Sequence, residues 1–327
     1  MPAEQLVVIT DVEDEQSGHV PLVQAHIAEA LTVIDPAPAV VVGQGLSYVM
    51  GRHGLECLYN DTSLDRVAAV WDRRPTPVDR KLLEDVHPDY RGYAQSSIWH
   101  LTHQLYSLFP DAVWVSDYFA AQRAEHKSLQ LITAQQLGFA VPETIITSDP
   151  KRAQQFISRH PATIIKSLSA VGPIVNGDML LFYSMRVTPD IDLDFENLNI
   201  GPAIFQQAVE VDHDLRITVV GDKIFPAAIV ADAEKDLSIG VRDWRIGNYL
   251  GELSIEACAL PEDAQQQCFA LVKTLGLRFG AIDMVMDKKG QLWFLEINPN
   301  GQWGFVEHAT QQPIGKAMAR LLLSGRA

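Results

Sequence analysis

The sequence has few basic residues for its length. Lys and Arg number 26 against 41 Asp and Glu, so the 327-residue chain carries a formal net charge of −15. Proteins that bind nucleic acid or anionic membranes without strong specificity gain most of their affinity from basic residues that neutralise phosphates. The charge balance therefore argues against nucleic acid and against a membrane surface as partners.

Cysteine and long apolar runs are scarce as well. The cysteines Cys57, Cys258 and Cys268 are scattered without a C-x-x-C spacing, so neither a disulfide framework nor a zinc site is indicated. No run approaches the roughly 20 apolar residues of a transmembrane helix. Residues 1–10 also lack the charged start of a signal peptide. These absences predict a cytoplasmic protein with reduced thiols.

What the sequence does contain is typical of a globular protein of two or more domains. Apolar residues make up 47% of the chain and charged residues 20%, which are ordinary proportions. Strands alternating with helical patterns near the start predict a small α/β domain, with residues 6–10 as a strand and 11–15 as a solvated loop. Residues 116–138 predict one long helix, and a larger α+β part follows a boundary near residues 115–125.

The most informative segment is a predicted hairpin of residues 279–287 and 291–298. Side chains alternate along a strand, so Glu296 and Asn298 point to the same face. Asp283 interrupts an otherwise apolar run on the preceding strand, where an unpaired charge is costly. Carboxylate and carboxamide oxygens suit a hard cation such as Mg²⁺. These three residues are candidate metal ligands; the alternative is an exposed hairpin face with ordinary polar side chains.

Two lysines occupy positions that suit phosphate binding. Lys127 lies near the start of the predicted long helix, and Lys166 ends an apolar β run. Lysine is a compact point charge suited to phosphate oxygens, although each lysine taken alone is more often a surface residue. The loop of residues 167–172 could close over phosphates through its backbone N–H groups. It matches neither G-x-G-x-x-G nor the P-loop, so alone it is weak support.

A further polar insertion separates the apolar strands of residues 203–209 and 215–220. The exposed backbone edge at the end of the first strand could pair with the rim of an adenine. The carboxylate of Asp214, which precedes the second strand, could bind ribose hydroxyls. Taken alone, this segment is better interpreted as an ordinary loop between two strands.

Taken in order, these residues resemble the ATP-grasp ligases, and four segments narrow the resemblance to the graspetide synthetases, the microviridin-type peptide maturases. The segments are V-W-D-R-R-P at 70–75, L-R-I at 215–217, D-W-R at 243–245 and E-I-N-P-N-G-Q-W at 296–303. The last of these is the most specific. The likeness covers nearly the whole chain and is loosest in residues 1–65. One departure is His126, which precedes the first lysine where the family usually has Asn.

The resemblance implies an ATP-grasp fold of mixed α/β and α+β class. Residues 1–120 would form an N-terminal α/β pre-ATP-grasp domain, and residues 121–327 would form the ATP-grasp domain. Within the second domain, a lid subdomain would span residues 125–205 and a C-terminal catalytic subdomain residues 206–327.

The resemblance also implies a role for each candidate side chain. Lys127 and Lys166 would hold the ATP phosphates, and Arg216 would lie against the transferred phosphoryl group, so that Arg216 and Lys166 act in catalysis. The other implied roles are adenine contacts by Gln206, Gln207 and Val209, ribose binding by Asp214, Mg²⁺ binding by Asp283, Glu296 and Asn298, and contacts with an acidic substrate peptide by Asp243 and Arg245.

The implied reaction is ATP-dependent ligation at side-chain carboxylates of a ribosomally made precursor peptide, which consists of a leader and an acidic core. An Asp or Glu would be activated as an acyl phosphate and joined to a Thr or Ser hydroxyl as an ester, or to a Lys amine as an amide. ATP and Mg²⁺ would be the cofactors, and a homodimer is implied. Two alternatives stay open: a ligase that adds an amino acid to a protein tail or small acid, and a non-catalytic nucleotide- or peptide-binding module.

Overall fold

The residues that the structure describes form four β-sheets and one short β-ribbon. The structure, a computed structural model, describes residues 4–52, 54–79, 81–168, 200–231 and 253–325, together with residues 174–175, 178–179, 184–187, 195 and 198. Within these residues, no helix combines the length and the apolar character that a bilayer span requires.

The N-terminal sheet is fully parallel and confirms the predicted α/β character of this region. Its strands are β1 (Gln5–Thr10), β2 (Thr32–Ile34), β6 (Val67–Arg74) and β7 (Val113–Val115), in the order β2-β1-β6-β7. The acidic residues 11–15 do not form the predicted loop. Most of them lie in helix α1 (Val12–Ser17), because the Asp11 carboxylate caps it by accepting a hydrogen bond from the Asp14 N–H.

Helices and a small antiparallel sheet surround the parallel sheet. The helices are α2 (His19–Gln24), α3 (Pro36–Val41) and α4 (Pro88–His103), the last followed by a 3₁₀ turn (Gln104–Ser107). The small sheet has the order β3 (Leu46–Gly51), β4 (Gly54–Tyr59) and β5 (Thr62–Ser63). Val7, Ile9 and Val70 of the parallel sheet pack with Leu105 of the 3₁₀ turn in one hydrophobic cluster.

Two helices follow β7 where the sequence predicts one. Helix α5 (Tyr118–Ala124) and helix α6 (Lys127–Gln136) are separated at Glu125 and His126. The helical pattern continues across this point because neither glycine nor proline marks the break. The break makes Lys127 the first residue of α6, so it lies at a helix terminus and not within a long helix.

A four-stranded antiparallel sheet, which we call the lid sheet, carries Lys166. Its strands are β8 (Thr144–Thr147), β9 (Thr163–Ser167), β12 (Met185–Val187) and β13 (Ala203–Gln207), in the order β12-β9-β13-β8. Helix α7 (Pro150–Arg159) packs against it and begins after an Asp149 cap with proline in the first position. The ribbon consists of β10 (Ile174–Val175) and β11 (Asp178–Met179).

A five-stranded antiparallel sheet, which we call the catalytic sheet, carries five of the other candidate residues. Its strands are β14 (Val211–Val220), β15 (Lys223–Ala231), β16 (Leu253–Ala257), β17 (Phe279–Asp287) and β18 (Leu292–Asn298), in the order β16-β15-β14-β17-β18. Strands β17 and β18 confirm the predicted hairpin. The tight turn between β14 and β15 has Gly221 at a φ of 57°, a left-handed conformation that glycine adopts without strain.

Two hydrophobic clusters join the catalytic sheet to its neighbours. One contains Leu215 and Ile282 together with apolar residues of α8 (Glu262–Thr274). The other contains Ala281, Trp71 of the N-terminal sheet, and residues of the last two helices, α9 (Gly304–Thr310) and α10 (Ile314–Leu323). A continuous core therefore connects the two parts of the chain, and the domain limits at residues 120 and 121 stay a prediction.

Candidate active site

Three neighbouring strands of the catalytic sheet present their polar side chains on one face. On β14, Leu215 and Ile217 point into a hydrophobic cluster, so Arg216 between them points to the opposite face. On β17, Asp283 is placed in the same way, between two buried apolar residues. Because β14, β17 and β18 are adjacent, their polar residues come together on this face.

A β-bulge sets the register of the third strand. Asp283 pairs with Glu296, and the register shifts immediately afterwards, so that Leu295 is the extra residue. The amide nitrogen of Asn298 donates hydrogen bonds to Asp283 Oδ2 at 2.9 Å and to Glu296 Oε1 at 3.3 Å. Asn298 thus contacts both of the other predicted metal ligands; the role of all three as ligands stays a prediction.

Asp283 forms a bidentate ion pair with a buried arginine. Arg216 is 3% exposed, and its Nη1 donates to both Asp283 oxygens at 2.8 Å. Burial raises the pKa of Asp283, the Arg216 charge opposes the rise, and the neighbouring charge of Glu296 adds to it. Arg216 Nη2 also donates to the Gln302 carbonyl at 2.8 Å. Arg216 therefore neutralises Asp283 in this structure, and its contact with a phosphoryl group stays a prediction.

Glu296 forms the second ion pair of the site. Lys127 Nζ lies 2.7 Å from Glu296 Oε2. Burial acts to raise the pKa of Glu296, but the positive charges of Lys127 and Lys166 outweigh it and lower the pKa to about 2. The two predicted phosphate-binding lysines, 39 residues apart and on different elements, therefore both act on the same carboxylate.

Lys166 is held by a chain of two side-chain hydrogen bonds in the lid sheet. Its Nζ donates to Gln206 Oε1 at 2.8 Å, and Gln206 Nε2 donates to Thr144 Oγ1 at 3.0 Å. Gln206 is buried. Its side chain therefore orients Lys166, and its predicted contact with an adenine stays a prediction.

Two of the other nucleotide candidates lie where the lid sheet leads into the catalytic sheet: Gln207 is the last residue of β13, and Val209 lies in the linker before β14. Gln207 is exposed and Val209 is half-buried. Both line a small cavity of about 160 Å³ together with residues 287–289 and Trp293 of the β17–β18 hairpin. The structure thus places both residues beside the catalytic sheet, while their contact with adenine stays a prediction.

Of the remaining predicted site residues, one is described by the structure and two are not. Asp214 is half-buried and lies two residues before Arg216 on β14, so both residues share the polar face of the catalytic sheet. Asp243 and Arg245, predicted to contact the substrate, lie outside the described residues.

The oxygen donors of the polar face fit a hard cation. They comprise the Asp283 and Glu296 carboxylates and the Asn298 carboxamide, and each carboxylate has about four lone-pair sites. Among the described residues, no group of three or more His, Cys, Asp or Glu side chains could hold a metal ion. Mg²⁺ needs no such group, because it is commonly bound by one or two carboxylates together with phosphate oxygens and water. The donor set therefore fits Mg²⁺ bound together with a nucleotide.

A further side chain of the site, Gln130, was not found by sequence reasoning. Gln130 is fully buried on α6, three residues after Lys127. Its Nε2 donates to the Ile297 carbonyl at 2.8 Å, and its Oε1 accepts from the Ile297 N–H at 3.1 Å. Because Ile297 lies between Glu296 and Asn298, Gln130 fixes both to α6. In the sequence, only the spacing from Lys127 could have pointed to it.

The chain belongs to the RimK-like ATP-grasp family. Residues 122–322 match the RimK-like ATP-grasp domain. The predicted ATP-grasp fold is confirmed, and so is the predicted class of enzyme, an ATP-dependent ligase with ATP and Mg²⁺ as cofactors. No protein with a curated description matches the chain.

Solved structures similar to this chain extend over its full length. A RiPP-associated ATP-grasp ligase of Chryseobacterium gregarium, in complex with ADP and a leader and core peptide, is 24% identical with a TM-score of 0.85, covering 99% of this chain and 98% of that one. The macrocyclase MdnC of Microcystis aeruginosa, bound with precursor peptide MdnA, is 25% identical with a TM-score of 0.82. The match covers 98% of this chain and 99% of that one. The ATP-grasp ligase PsnB, complexed with minimal precursor, Mg and ADP, is 18% identical with a TM-score of 0.77, over 99% of each chain.

Proposed function

We propose that this protein is an ATP-dependent peptide macrocyclase that acts on a ribosomally made precursor peptide with a leader and an acidic core. It would join Asp or Glu side chains to Thr or Ser hydroxyls as esters, or to Lys amines as amides. The observation that carries the proposal is the set of contacts among Asp283, Glu296 and Asn298, flanked by the Arg216 and Lys127 cations on an ATP-grasp sheet. Similar structures that contain leader, core or precursor peptides support a peptide substrate.

The chemistry has two steps. In the first step an oxygen of the substrate carboxylate bonds to the γ-phosphorus of ATP, and the bond from that phosphorus to the bridging oxygen breaks, so that ADP leaves. In the second step a hydroxyl oxygen or amine nitrogen of the same peptide bonds to the carbonyl carbon of the acyl phosphate. The bond from that carbon to the phosphate oxygen breaks, and the departing phosphate takes the proton of the nucleophile.

The protein would contribute mainly charge and placement to these steps. Bound Mg²⁺ would neutralise charge on the phosphate oxygens, and phosphoryl transfer depends chiefly on such stabilisation. Lys166 would meet the phosphates from the lid sheet, and Lys127 from α6. The buried Arg216–Asp283 pair fixes one carboxylate beside the site. The nucleophile must also be held in line and water excluded, because an acyl phosphate hydrolyses.

Substrate recognition is proposed for Asp243 and Arg245. An arginine beside the site would pair with carboxylates of an acidic core peptide. Arg245→Ala is therefore expected to reduce peptide modification more than Mg·ATP affinity. An equal loss of both would contradict this assignment.

Two other functions use the same nucleotide site. A ligase that adds an amino acid to a protein tail or small acid would differ only on the substrate side. A non-catalytic module would bind Mg·ATP and release no ADP with any acidic peptide. The presence of both lysines and all three candidate ligands favours an enzyme. The W-D-R-R-P and D-W-R segments favour a peptide substrate.

The proposal is tested by co-expression with a short acidic, Thr/Ser-rich peptide encoded beside this chain. We expect mass losses in multiples of one water in wild type and none with Glu296→Gln. A mass gain equal to added amino acids would indicate the alternative ligase, and an unchanged mass despite tight Mg·ATP binding would indicate the binding module. A homodimer and a cytoplasmic location belong to the same proposal, and sedimentation analysis tests the former.

A further inference from the structure

A cluster of buried side chains from the N-terminal part of the chain contacts the loop that follows β18. The cluster, which we call the clamp, consists of Asp14, His19 and Arg73. They lie on α1, at the start of α2 and on β6, respectively. The loop of residues 299–304 follows Asn298 directly, so the clamp reaches the candidate metal site across 227 or more residues of sequence.

Hydrogen bonds from two clamp residues fix the loop backbone. His19 Nε2 accepts from the N–H groups of Trp303 at 3.2 Å and Gly304 at 3.1 Å, where α9 begins. Arg73 Nη1 donates to the Asn300 carbonyl at 2.6 Å. The His19 and Trp303 rings also meet edge to face, with centroids 4.7 Å apart. Three of the six loop residues are therefore held by the clamp.

These contacts define the protonation state of His19. A ring nitrogen that accepts two backbone N–H groups carries no proton, so in the neutral ring the proton lies on Nδ1. This proton is donated to Asp14 Oδ1 at 2.9 Å, because Arg73 Nη2, which lies 3.1 Å from the same nitrogen, cannot accept it. Burial lowers the pKa of His19, the Asp14 charge opposes this, and the nearby Arg73 and Arg74 charges add to it. The neutral ring that the hydrogen bonds require is thus also the form that its surroundings favour.

The loop is packed closely enough to transmit its position to the site. A Cβ on Gly301 would lie 2.5 Å from the Ala281 side chain, 2.6 Å from Arg216 Nη2 and 3.1 Å from the Asn298 Cβ. The loop carbonyl of Gln302 also accepts a hydrogen bond from Arg216 Nη2 at 2.8 Å. A shift of the loop would therefore displace Asn298 or Arg216.

We propose that His19 and Arg73 are positioning residues that place Asn298 and Arg216 for nucleotide and metal binding, by fixing the loop of residues 299–304. This inference rests on the proposed function, because it takes the polar face of the catalytic sheet as the Mg·ATP site. It adds that the N-terminal part of the chain sets the geometry of that site through buried contacts.

The test compares two substitutions at His19 by calorimetric titration with Mg·ADP. His19→Phe keeps a buried ring but removes the acceptor, so affinity should fall by about 10- to 100-fold, the usual cost of losing an outer-shell partner. His19→Gln offers a carbonyl oxygen to the same N–H groups and should stay within about threefold of wild type. His26→Gln, at an exposed histidine, is the matched control and should bind as wild type.

The outcomes separate this inference from the proposed function. A folded His19→Phe protein, verified by its melting curve, that binds Mg·ADP like wild type would overturn the positioning role, and so would equal losses in the Phe and Gln variants. If His19→Phe does not fold, the variant Arg73→Lys serves as the test. It keeps the positive charge beside Asp14 but lacks the guanidinium that donates to the Asn300 carbonyl. An unchanged Mg·ADP affinity would overturn the inference, and a loss of about tenfold would support it. Wild type that binds no Mg·ADP would overturn the proposed function itself.

Discussion

The catalytic sheet and the lid sheet each carry charged residues of the candidate site, but they hold them differently. On the catalytic sheet, Glu296 and Asn298 flank Ile297, whose backbone forms hydrogen bonds with Gln130 of α6. The loop after Asn298 forms a hydrogen bond with His19 of α2. On the lid sheet, Lys166 donates a hydrogen bond to Gln206, which donates in turn to Thr144 of the same sheet.

This difference shows how rigidly each of the two sheets holds its residues of the site. Metal ligands need fixed geometry, and buried hydrogen bonds to the backbone provide it. A lysine that meets phosphate acts as a point charge on a long side chain, so it tolerates a less rigid support. Substitutions on the catalytic side are therefore expected to have larger effects than those on the lid side.

The largest effect is expected for Glu296→Gln, which removes a charge from the rigid side. ATP turnover should fall by about 100- to 1,000-fold, the usual cost of one missing electrostatic group at a reacting centre. The measurement is ADP release with the precursor peptide and Mg²⁺. The exposed Glu256 provides the control Glu256→Gln, expected to behave as wild type. Near-normal turnover in Glu296→Gln would remove the metal assignment.

The next effect is expected for Gln130→Leu, which keeps the shape and removes both hydrogen bonds to Ile297. Gln130 Nε2 also donates to the Ala124 carbonyl at 2.6 Å, so three backbone groups lose this partner and the free energy of unfolding should fall by about 2–4 kcal/mol. Mg·ADP affinity should fall by about 10-fold at a temperature where the variant stays folded. Urea unfolding and calorimetry measure the two quantities. Unchanged affinity in the folded variant would show that Gln130 stabilises the fold without placing the ligands.

A smaller effect is expected for Gln206→Leu on the lid side. Lys166 loses the hydrogen bond that orients it but keeps its charge, so Mg·ATP affinity should fall by less than about 10-fold. Thr144→Val removes the far end of the same chain and should give a still smaller change. If Gln206→Leu weakened binding as much as Gln130→Leu, the contrast between the two sheets would be lost.

The Lys127–Glu296 pair predicts a pH effect with a defined sign. The pKa of Glu296 is lowered, so the folded protein favours the charged carboxylate. The pair therefore stabilises the fold at pH values above 4.5, the ordinary pKa of a glutamate. This contribution is lost as the pH falls towards about 2. The melting temperature of wild type should therefore exceed that of Glu296→Gln at about pH 6, and the difference should be smaller at about pH 3. A gap that widens in acid would contradict the pairing.

The smallest effect is expected for His126→Asn. Among the described residues, the His126 side chain makes no capping hydrogen bond at the start of α6, and asparagine is a favoured N-cap. Thermal unfolding should show a gain of about 0.5–1 kcal/mol, with little change in Mg·ADP affinity. A loss of stability would indicate that the ring of His126 makes a contact that outweighs the cap.

The sequence predicted the parts of the site that follow from local periodicity. Alternation along β18 placed Glu296 and Asn298 on one face, and the apolar run around Asp283 marked it as an unusual charge; the structure brings the three together. The strands of the hairpin and the cap of α7 were also predictable, because each depends on a few neighbouring residues.

The remaining features depend on contacts between distant segments. Gln130 and Ile297 are 167 residues apart, and His19 and Trp303 are 284 apart, so no local pattern distinguishes them from surface residues. The break between α5 and α6 was missed because it contains neither glycine nor proline, although it decides where Lys127 lies. Long-range packing sets such details, and a single sequence does not encode it in a readable spacing.

The central claim is that the polar face of the catalytic sheet binds Mg²⁺ together with a nucleotide, and a crystal structure with Mg·ADP tests it most directly. We predict a metal ion at about 2.1 Å from oxygens of Glu296 and Asn298, with Asp283 beside it and Lys127 and Lys166 on the phosphates. A nucleotide bound at any other surface, or a metal ion that contacts none of these three oxygen ligands, would contradict the claim.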